Sequence, residues 1–303
     1  MASVSKNITL VGASGSIGQI LLAALLEASD FDVTVLTRSS SIADFPAGAT
    51  VRKSDFSPSD LREALTGQDA VISAVGAPGF AEQKELIDAA IAVGVSRFIP
   101  SEFSADSQND TVLALLPLFR QKKEVIEYLK SKEKEIDWTG IACSGLFDWG
   151  IANGFLGYDI GSRTATIWDD GNKRFTFTNQ KQLGRAVVSV LRHFGATANQ
   201  YLYISSVETS QNEILAALEK ATASSWTAQR TTTDAEVSDA ASKLQNGDFS
   251  GALTLVRATA YGDIPGLGSN YAKDTVLANE LLGLEEESVE ETIRRVVSEF
   301  NKY

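Results

Sequence analysis

The chain begins with an apolar segment that leads directly into three glycines spaced G-x-x-G-x-x-G and then into a helical pattern. The segment is Ile8-Thr9-Leu10-Val11, and the glycines are Gly12, Gly15 and Gly18. The first glycine permits a tight turn, the second lets the backbone approach a pyrophosphate, and the third lets the helix pack against the strand. The helix N-terminus offers unpaired N–H groups to an anion. The pattern predicts a dinucleotide-binding turn formed by Gly12, Ala13, Ser14, Gly15, Ser16, Ile17 and Gly18.

Strand and helix patterns alternate through the first half of the chain. The predicted strands cover residues 8–12, 33–37, 51–55, 70–75, 97–100 and 138–143. Between them, helices are predicted from Ile17, from Pro58, over 81–93 and over 112–134. Such alternation builds a parallel sheet with helices on both faces. The sequence therefore predicts an α/β fold with a Rossmann-type doubly wound parallel sheet.

The pattern changes after residue 150. Strand patterns at 164–168 and 174–178 flank Asp170-Gly171, which predicts a β-hairpin. A helix over 182–192 and a strand over 201–205 are predicted to return to the main sheet. From Thr209, a predicted N-cap, helices are expected over 213–221, 234–244, 274–282 and 288–300.

These patterns divide the chain into two predicted domains. A dinucleotide-binding domain is expected over residues 1–156, with 179–207 returning to it. A smaller, mostly helical substrate-binding lobe is expected over 157–178 and 208–303.

Composition excludes several classes of function. The 303 residues carry a net charge of -12, which argues against a nucleic-acid partner, because phosphate binding needs clustered lysine and arginine. No apolar run approaches the ~20 residues of a membrane helix. The first six residues lead directly into the first strand and leave no room for a signal peptide. We therefore expect a cytoplasmic protein that binds a small molecule and no membrane.

Cysteine and histidine each occur once. One cysteine cannot form an internal disulfide, and one histidine makes a histidine-based metal site or a Ser-His-Asp triad an unfavoured interpretation. Cys143 lies in an apolar stretch and is predicted to be a buried structural thiol. His193 follows the predicted helix 182–192, where it is expected to interact with the C-terminal end of the helix dipole.

The end of the second predicted strand indicates which dinucleotide is bound. In such folds an acidic residue there accepts the ribose 2′-hydroxyl of NAD, whereas a basic one favours the 2′-phosphate of NADP. Arg38 and Ser39 supply a guanidinium and a hydroxyl at this position, with no carboxylate. Because a guanidinium matches phosphate geometry, NADPH is the expected cofactor. The alternative is that Arg38 is a solvated turn residue.

The ends of the next two strands supply further cofactor-binding candidates. Asp55 and Phe56 follow the third strand and are expected beside the adenine. Ala74, Val75 and Gly76 end the fourth strand, where the backbone is expected to pass close to the cofactor. Close helix packing would select small residues there as well.

The predicted helix 112–134 contains the catalytic candidate, Lys122. Lys122 lies in the middle of the apolar face of this helix. The other residues of that face are Leu115, Leu118, Phe119, Val125, Ile126 and Leu129. Partial burial would lower the pKa of this lysine toward a range useful for proton transfer. The alternative is that the ammonium reaches along its stem to solvent. Tyr128 and Lys132 match the Tyr-x-x-x-Lys pair of ordinary short-chain dehydrogenases, but Tyr128 lies about 120° away from Lys122 around the helix, and we expect no catalytic role.

Together these residues resemble the isoflavone reductase-like branch of the NmrA-like atypical short-chain dehydrogenase/reductases. The most specific string is Arg97-Phe-Ile-Pro-Ser-Glu-Phe103, after which the family usually has glycine and this chain has Ser104. The resemblance covers nearly the whole chain and is nearest to fungal members. It also rests on the glycine turn and on residues 83–90, 119–122, 144–149, 211–214 and 278–283.

The resemblance implies an NADPH-dependent reductase that delivers hydride to a conjugated or benzylic carbon of a small, often phenolic molecule. It implies that Lys122 contacts the nicotinamide ribose and acts as a general acid or base, and that Ser101 and Phe103 bind the cofactor. Phe103, Phe147 and Trp149 would line an apolar substrate pocket. The alternative is that these aromatic side chains pack in the hydrophobic core and do not contact substrate.

Two other activities occur on the same fold. One is a regulatory protein that senses NADP without turnover, and the other is an isomerase or dehydratase with bound NADP. The presence of Lys122 and of the Ser-Glu-Phe segment favours the reductase.

Overall fold

The computed structural model describes residues 6–302. Met1–Ser5, which entered the expectation about a signal peptide, and Tyr303 lie outside the described residues. The strands are β1 (Asn7–Val11), β2 (Asp32–Arg38), β3 (Ala49–Ser54), β4 (Ala70–Ser73), β5 (Arg97–Ile99), β6 (Asp137–Ala142), β7 (Gly145–Leu146), β8 (Tyr158–Asp159), β9 (Thr164–Trp168), β10 (Arg174–Thr178), β11 (Gln200–Tyr203), β12 (Val207–Ser210) and β13 (Thr227–Thr231). The helices are α1 (Ser16–Ala28), α2 (Pro58–Leu65), α3 (Gln83–Ala92), α4 (Asp110–Leu115), α5 (Arg120–Ser131), α6 (Phe147–Ala152), α7 (Gln180–Arg192), α8 (Gln211–Thr222), α9 (Thr233–Gln245), α10 (Ser250–Tyr261), α11 (Tyr271–Asp274), α12 (Asn279–Leu282) and α13 (Val289–Phe300).

The chain forms two compact units. Unit 1 contains the described residues up to Phe103, Leu118–Ala142 and Leu183–Leu202. Unit 2 contains Ser104–Pro117, Cys143–Gln182 and the described residues from Tyr203 onward.

Unit 1 is built on a seven-stranded sheet in the order β11-β6-β5-β4-β1-β2-β3. The pairings from β6 through β3 are parallel. Strand order reverses between β1 and β4, which is where open α/β sheets of this kind bind ligands at the carboxyl edge. The Rossmann-type fold predicted from the sequence is confirmed, and β11 forms one edge of this sheet.

The predicted helix 112–134 is wrong as a single element. It is divided into α4, a 3-10 turn over Pro117–Phe119 and α5. Pro117 has no N–H and its ring clashes with the preceding turn, so a continuous helix cannot pass through it. As a result Leu118, predicted on the apolar face, is 43% exposed.

Unit 2 combines helices with two three-stranded sheets, β12-β10-β7 and β13-β9-β8. The strands predicted at 164–168 and 174–178 both form, but the predicted hairpin is wrong because they belong to different sheets. Strand β9 has β13 on one edge and β8 on the other, which leaves no edge for β10. At the start of the connecting turn, the carboxylate of Asp169 accepts hydrogen bonds from the backbone N and Oγ1 of Thr233.

The helices predicted at 213–221, 234–244 and 288–300 correspond to α8, α9 and α13. The N-cap of α8 is Ser210 and not Thr209, and Ser210 forms a capping box with Glu213. The predicted helix 274–282 is replaced by α11 and α12, with non-helical residues between them, and α10 was not predicted.

Arg97 is fully buried in unit 1, an unusual place for an arginine. Its guanidinium donates to Thr139 Oγ1 at 2.7 Å, to Thr197 Oγ1 at 3.1 Å and to the carbonyl of Phe194, whose ring it also covers. Burial lowers the pKa of Arg97 to about 10, partly offset by Asp137. One side chain thus links β5 to β6 and to the segment that precedes β11.

Replacing Arg97 by methionine is expected to lower the free energy of unfolding by about 2–4 kcal/mol. The substitution keeps an unbranched apolar stem but leaves buried acceptors without their donor. Urea denaturation measures the change, with Arg62→Met on the exposed face of α2 as the matched control, expected to change stability by less than about 0.5 kcal/mol. Equal effects of the two substitutions would contradict the structural role of Arg97.

Candidate functional site

Packing requires glycine at two positions of the turn between β1 and α1. Gly12 has φ +84°, and a Cβ there would lie 2.5 Å from the carbonyl oxygen of Ala74. A Cβ on Gly18 would lie 2.1 Å from the oxygen of Gly12. The end of β4, the turn and the first turn of α1 therefore touch through backbone atoms alone.

Gly15, between these two, is under no such constraint. A Cβ at Gly15 would meet only Gly12 O at 3.5 Å, an ordinary contact, and its φ of -78° suits any residue. It is the N-cap of α1, where no side chain hydrogen-bonds to the first turn and no acidic residue lies in that turn. The exposed helix terminus therefore presents the unpaired N–H groups of the first helical turn, from Ser16 onward, and a positive dipole end to an anion. The Gly15 N–H itself donates to Gly12 O at 3.1 Å.

Five of the predicted cofactor-binding residues line one pocket of unit 1, of about 570 Å³, here called the Arg38 pocket. They are Arg38, Ser39, Asp55, Phe56 and Val75. The Arg38 guanidinium is exposed and forms no ion pair with any residue in 6–302, so its charge is available to a ligand. Phe56 has φ +63°, a strained conformation for a bulky side chain. Sequence reasoning missed the pocket residues Glu82, Gln83, Glu85 and Leu86.

The segment after β4 is fixed by bonds to β1 and to the residues after β5. The Ala74 N–H donates to Val11 O at 2.8 Å, and Ser101 Oγ donates to Val75 O at 2.7 Å. Gly76 is the exposed N-cap of the 3-10 turn Ala77–Gly79. The buried side chain of Gln83 accepts from Ser101 N at 2.8 Å and donates to Phe80 O at 3.1 Å. It thereby connects the two segments that follow β4 and β5.

Lys122 is only 4% exposed, so its ammonium does not reach solvent as the alternative expected. Nζ donates to Glu102 O at 2.6 Å, and it lies 4.7 Å from the ring centroid of Phe80 and 4.8 Å from that of Phe119. The carbonyl dipole and the two ring faces stabilise the cation.

The carboxylate of Glu102 is itself buried and accepts a hydrogen bond from Tyr201 OH at 2.8 Å. This bond fixes the residue whose carbonyl holds Lys122. Neither Glu102 nor Tyr201 was predicted to have a role, because their contact joins residues 99 positions apart.

The surface pair Tyr128 and Lys132 has the wrong electrostatics for a catalytic pair. Tyr128 OH hydrogen-bonds to the carboxylate of Asp88, which raises the pKa of Tyr128 to about 12. Lys132 forms an ion pair with Glu135 at 3.1 Å. A short-chain dehydrogenase needs the opposite arrangement, with a lysine that lowers the pKa of the tyrosine.

The three aromatic residues predicted for the substrate pocket lie in different surroundings. Phe103 is buried in unit 1. In unit 2, Phe147 is fully buried and stacks on Phe177 with ring centroids 6.2 Å apart. Trp149 is half-buried against Phe155. Their role in binding substrate stays a prediction.

Cys143 is fully buried, as expected for a structural thiol. His193 follows α7, and its Nδ1 lies 2.9 Å from Ser189 O. Among residues 6–302, no three His, Cys, Asp or Glu side chains are grouped so that they could hold a metal ion. Within the same range, every helix is too short or too polar to cross a lipid bilayer.

Comparison with known proteins agrees with this architecture. A family model described as the NmrA-like family matches residues 4–242. The chain belongs to the NmrA-like family. This NmrA-like protein is 36% identical over 294 residues to oxidoreductase aprR of Aspergillus flavus, a match that spans 96% of this chain and 98% of that protein. It is 32% identical over 294 residues to oxidoreductase poxI of Penicillium oxalicum, spanning 96% and 93%.

A solved structure shares the fold of this NmrA-like protein. The complex of leucoanthocyanidin reductase with NADPH from Vitis vinifera aligns with a TM-score of 0.80 at 22% identity, over 96% of this chain and 99% of that one. The family resemblance inferred from the sequence is confirmed.

The two unlike glycines of the turn give a test of this geometry. Gly18→Ala is expected to destabilise the protein by several kcal/mol, because its Cβ would overlap the Gly12 carbonyl and force the backbone apart. Gly15→Ala is expected to change the free energy of unfolding by less than about 1 kcal/mol. Denaturation of both variants measures the difference, and similar destabilisation by the two would contradict the packing described here.

Proposed function

We propose that this NmrA-like protein is an NADPH-dependent reductase that transfers hydride to a conjugated or benzylic carbon of a small aromatic molecule. The broader activity, NADPH-dependent oxidoreductase, agrees with the names of the fungal relatives and with the NADPH bound in the grapevine reductase. The aromatic substrate class follows from the isoflavone reductase-like resemblance.

The observation that carries the proposal is an arrangement within unit 1. The glycine turn follows β1, and Glu102, which holds Lys122, follows β5 of the same parallel sheet. Because parallel strands end at one edge, an anion-binding helix terminus and a buried lysine share that edge. A dinucleotide needs both features, because its pyrophosphate binds at the helix terminus while its nicotinamide ring reacts at a separate place.

The residues present fit the cofactor. The N–H groups of Ser16 and Ile17, in the first turn of α1, would hold the pyrophosphate. Packing does not require glycine at position 15, and the absence of a Cβ there lets a phosphate approach the backbone. Arg38 would bind the 2′-phosphate through its unpaired guanidinium, and Asp55 and Phe56 would lie beside the adenine.

Bound NADPH supplies the hydride. Lys122 would lie beside the nicotinamide ribose and donate a proton to the reduced substrate, or stabilise the negative charge that develops there. The buried position between Phe80 and Phe119 excludes water from the ammonium and strengthens its field. The Glu102 carbonyl orients Nζ within this site.

Arg38→Ala is expected to lower NADPH affinity by roughly 10- to 150-fold and to leave NADH affinity nearly unchanged. A charge-assisted phosphate contact contributes about 1.5–3 kcal/mol, and NADH lacks that phosphate. Fluorescence titration with each cofactor measures both affinities, with Arg62→Ala as the control for loss of one surface charge. Equal binding of NADPH and NADH by the unaltered protein would rule out this assignment.

Lys122→Met is expected to reduce turnover by about 10²- to 10⁴-fold while NADPH still binds. Methionine keeps much of the buried volume and removes the proton. The measurement is NADPH oxidation with a panel of conjugated and benzylic aromatic substrates, and thermal denaturation confirms that the variant is folded. Lys130→Met, on the exposed side of the same helix, is the matched control.

Unchanged turnover in Lys122→Met would remove this residue from the mechanism. If the unaltered protein binds NADPH but oxidises it with no member of the panel, the NADP-sensing alternative replaces the reductase.

A further inference from the structure

The buried side chain of Gln83 joins two segments of unit 1 that both contact Lys122. Gln83 is the first residue of α3 and is 2% exposed. Its Oε1 accepts a hydrogen bond from Ser101 N at 2.8 Å, and its Nε2 donates one to Phe80 O at 3.1 Å. Because both partners are backbone groups, these bonds fix the course of the main chain in the two segments.

Each of the two bonds lies next to a group that contacts the ammonium of Lys122. Phe80, whose carbonyl accepts from Gln83, has its ring centroid 4.7 Å from Lys122 Nζ. Ser101, whose N–H donates to Gln83, is followed by Glu102, whose carbonyl accepts from Nζ at 2.6 Å. One amide therefore holds together a ring face and a carbonyl that follow different strands and meet at the same ammonium.

Loss of the Gln83 amide would leave two backbone groups without partners in a buried place. Ser101 and Phe80 are both buried, and an unpaired backbone N–H or C=O is costly there, so the chain would move to find another partner. Ser101 Oγ would still donate to Val75 O, a bond of 2.7 Å, which keeps the segment after β5 attached. We therefore expect a local shift of the groups around Lys122 rather than unfolding of unit 1.

We propose that Gln83 is a positioning residue for Lys122, because its amide keeps the Phe80 ring and the Glu102 carbonyl in place around the ammonium. A consequence for turnover rests on the proposed function, whereas the placement of the ammonium does not. If Lys122 assists the reduction, a displacement of its amine on the order of 1 Å is sufficient to lower the rate by up to about 10²-fold.

The first test measures the accessibility of Lys122 and needs no substrate. The intact protein is acetylated with N-hydroxysuccinimidyl acetate, and peptide mass spectrometry gives the rate at Lys122 relative to Lys130, which is exposed on the same helix. Gln83→Met keeps an unbranched side chain and removes both hydrogen bonds. We expect this variant to raise the ratio of the two rates roughly 10-fold, because local opening exposes the buried amine more often.

Gln211→Met is the matched control, because Gln211 makes the same kinds of contact in unit 2. It is the first residue of α8 and is 2% exposed. Its amide accepts from Trp168 N at 2.8 Å and donates to Thr166 O at 3.0 Å. Thermal denaturation is expected to show a comparable loss of stability in this variant, with no change in the ratio of Lys122 to Lys130 labelling. An equal rise of that ratio in both variants would overturn the proposal, since general destabilisation would then explain it.

The second test compares turnover on an aromatic substrate that the unaltered protein reduces. Gln83→Met is expected to lower kcat by about 10-fold or more, whereas Gln211→Met leaves kcat per folded molecule nearly unchanged. An unchanged labelling ratio in Gln83→Met, or an unchanged kcat, would overturn the proposal.

Two further outcomes are distinguishable. If Gln83→Met does not fold, Gln83→Glu takes its place, because it keeps an acceptor for Ser101 N and loses the donor to Phe80 O, and changes in the same direction are expected. If the unaltered protein reduces no substrate, the proposed function fails, and the labelling ratio alone supports or overturns the role of Gln83.

Discussion

The contact between backbone atoms of the first turn and the end of β4 is the constraint on which the site in unit 1 depends. Gly12 and Gly18 leave no space for a side chain, so Ala74, the turn and α1 are held at van der Waals distance. This contact places the N-terminus of α1 at the carboxyl edge of the sheet, where the strand order reverses. The same packing leaves Gly15 unconstrained, so the close backbone contacts do not account for a glycine there.

The charges of the site complement that geometry. The helix terminus and Arg38 provide positive potential that is open to solvent, which suits phosphates that arrive hydrated. Lys122 is in the opposite environment, because it is buried between two aromatic rings and donates a hydrogen bond to a carbonyl. Such an environment suits a group that acts on a substrate shielded from water. The proposed reductase activity requires this division, with exposed charge to bind the cofactor and buried charge to assist the chemistry.

Local patterns predicted the parts of this molecule that local forces determine. The glycine turn, the strands of unit 1 and the buried face around Lys122 follow from short-range periodicity and from backbone sterics. The roles of Gln83 and Tyr201 could not be predicted, because their bonds join residues that are 18 and 99 positions apart. The buried Arg97 was missed for the same reason. Asp170-Gly171 does form a turn, as its sequence predicts. The hairpin does not form because β13 pairs with the edge of β9 that β10 would need. Pro117 marks the helix break in the sequence itself, whereas the apolar period continues across it.

The most direct test of the central claim is a crystal structure of the protein soaked or grown with NADP⁺. We expect a dinucleotide whose pyrophosphate lies on the N–H groups of Ser16 and Ile17, whose 2′-phosphate contacts Arg38, and whose nicotinamide ribose lies within hydrogen-bond distance of Lys122 Nζ. A dinucleotide bound away from the glycine turn, or one with its nicotinamide remote from Lys122, would contradict it.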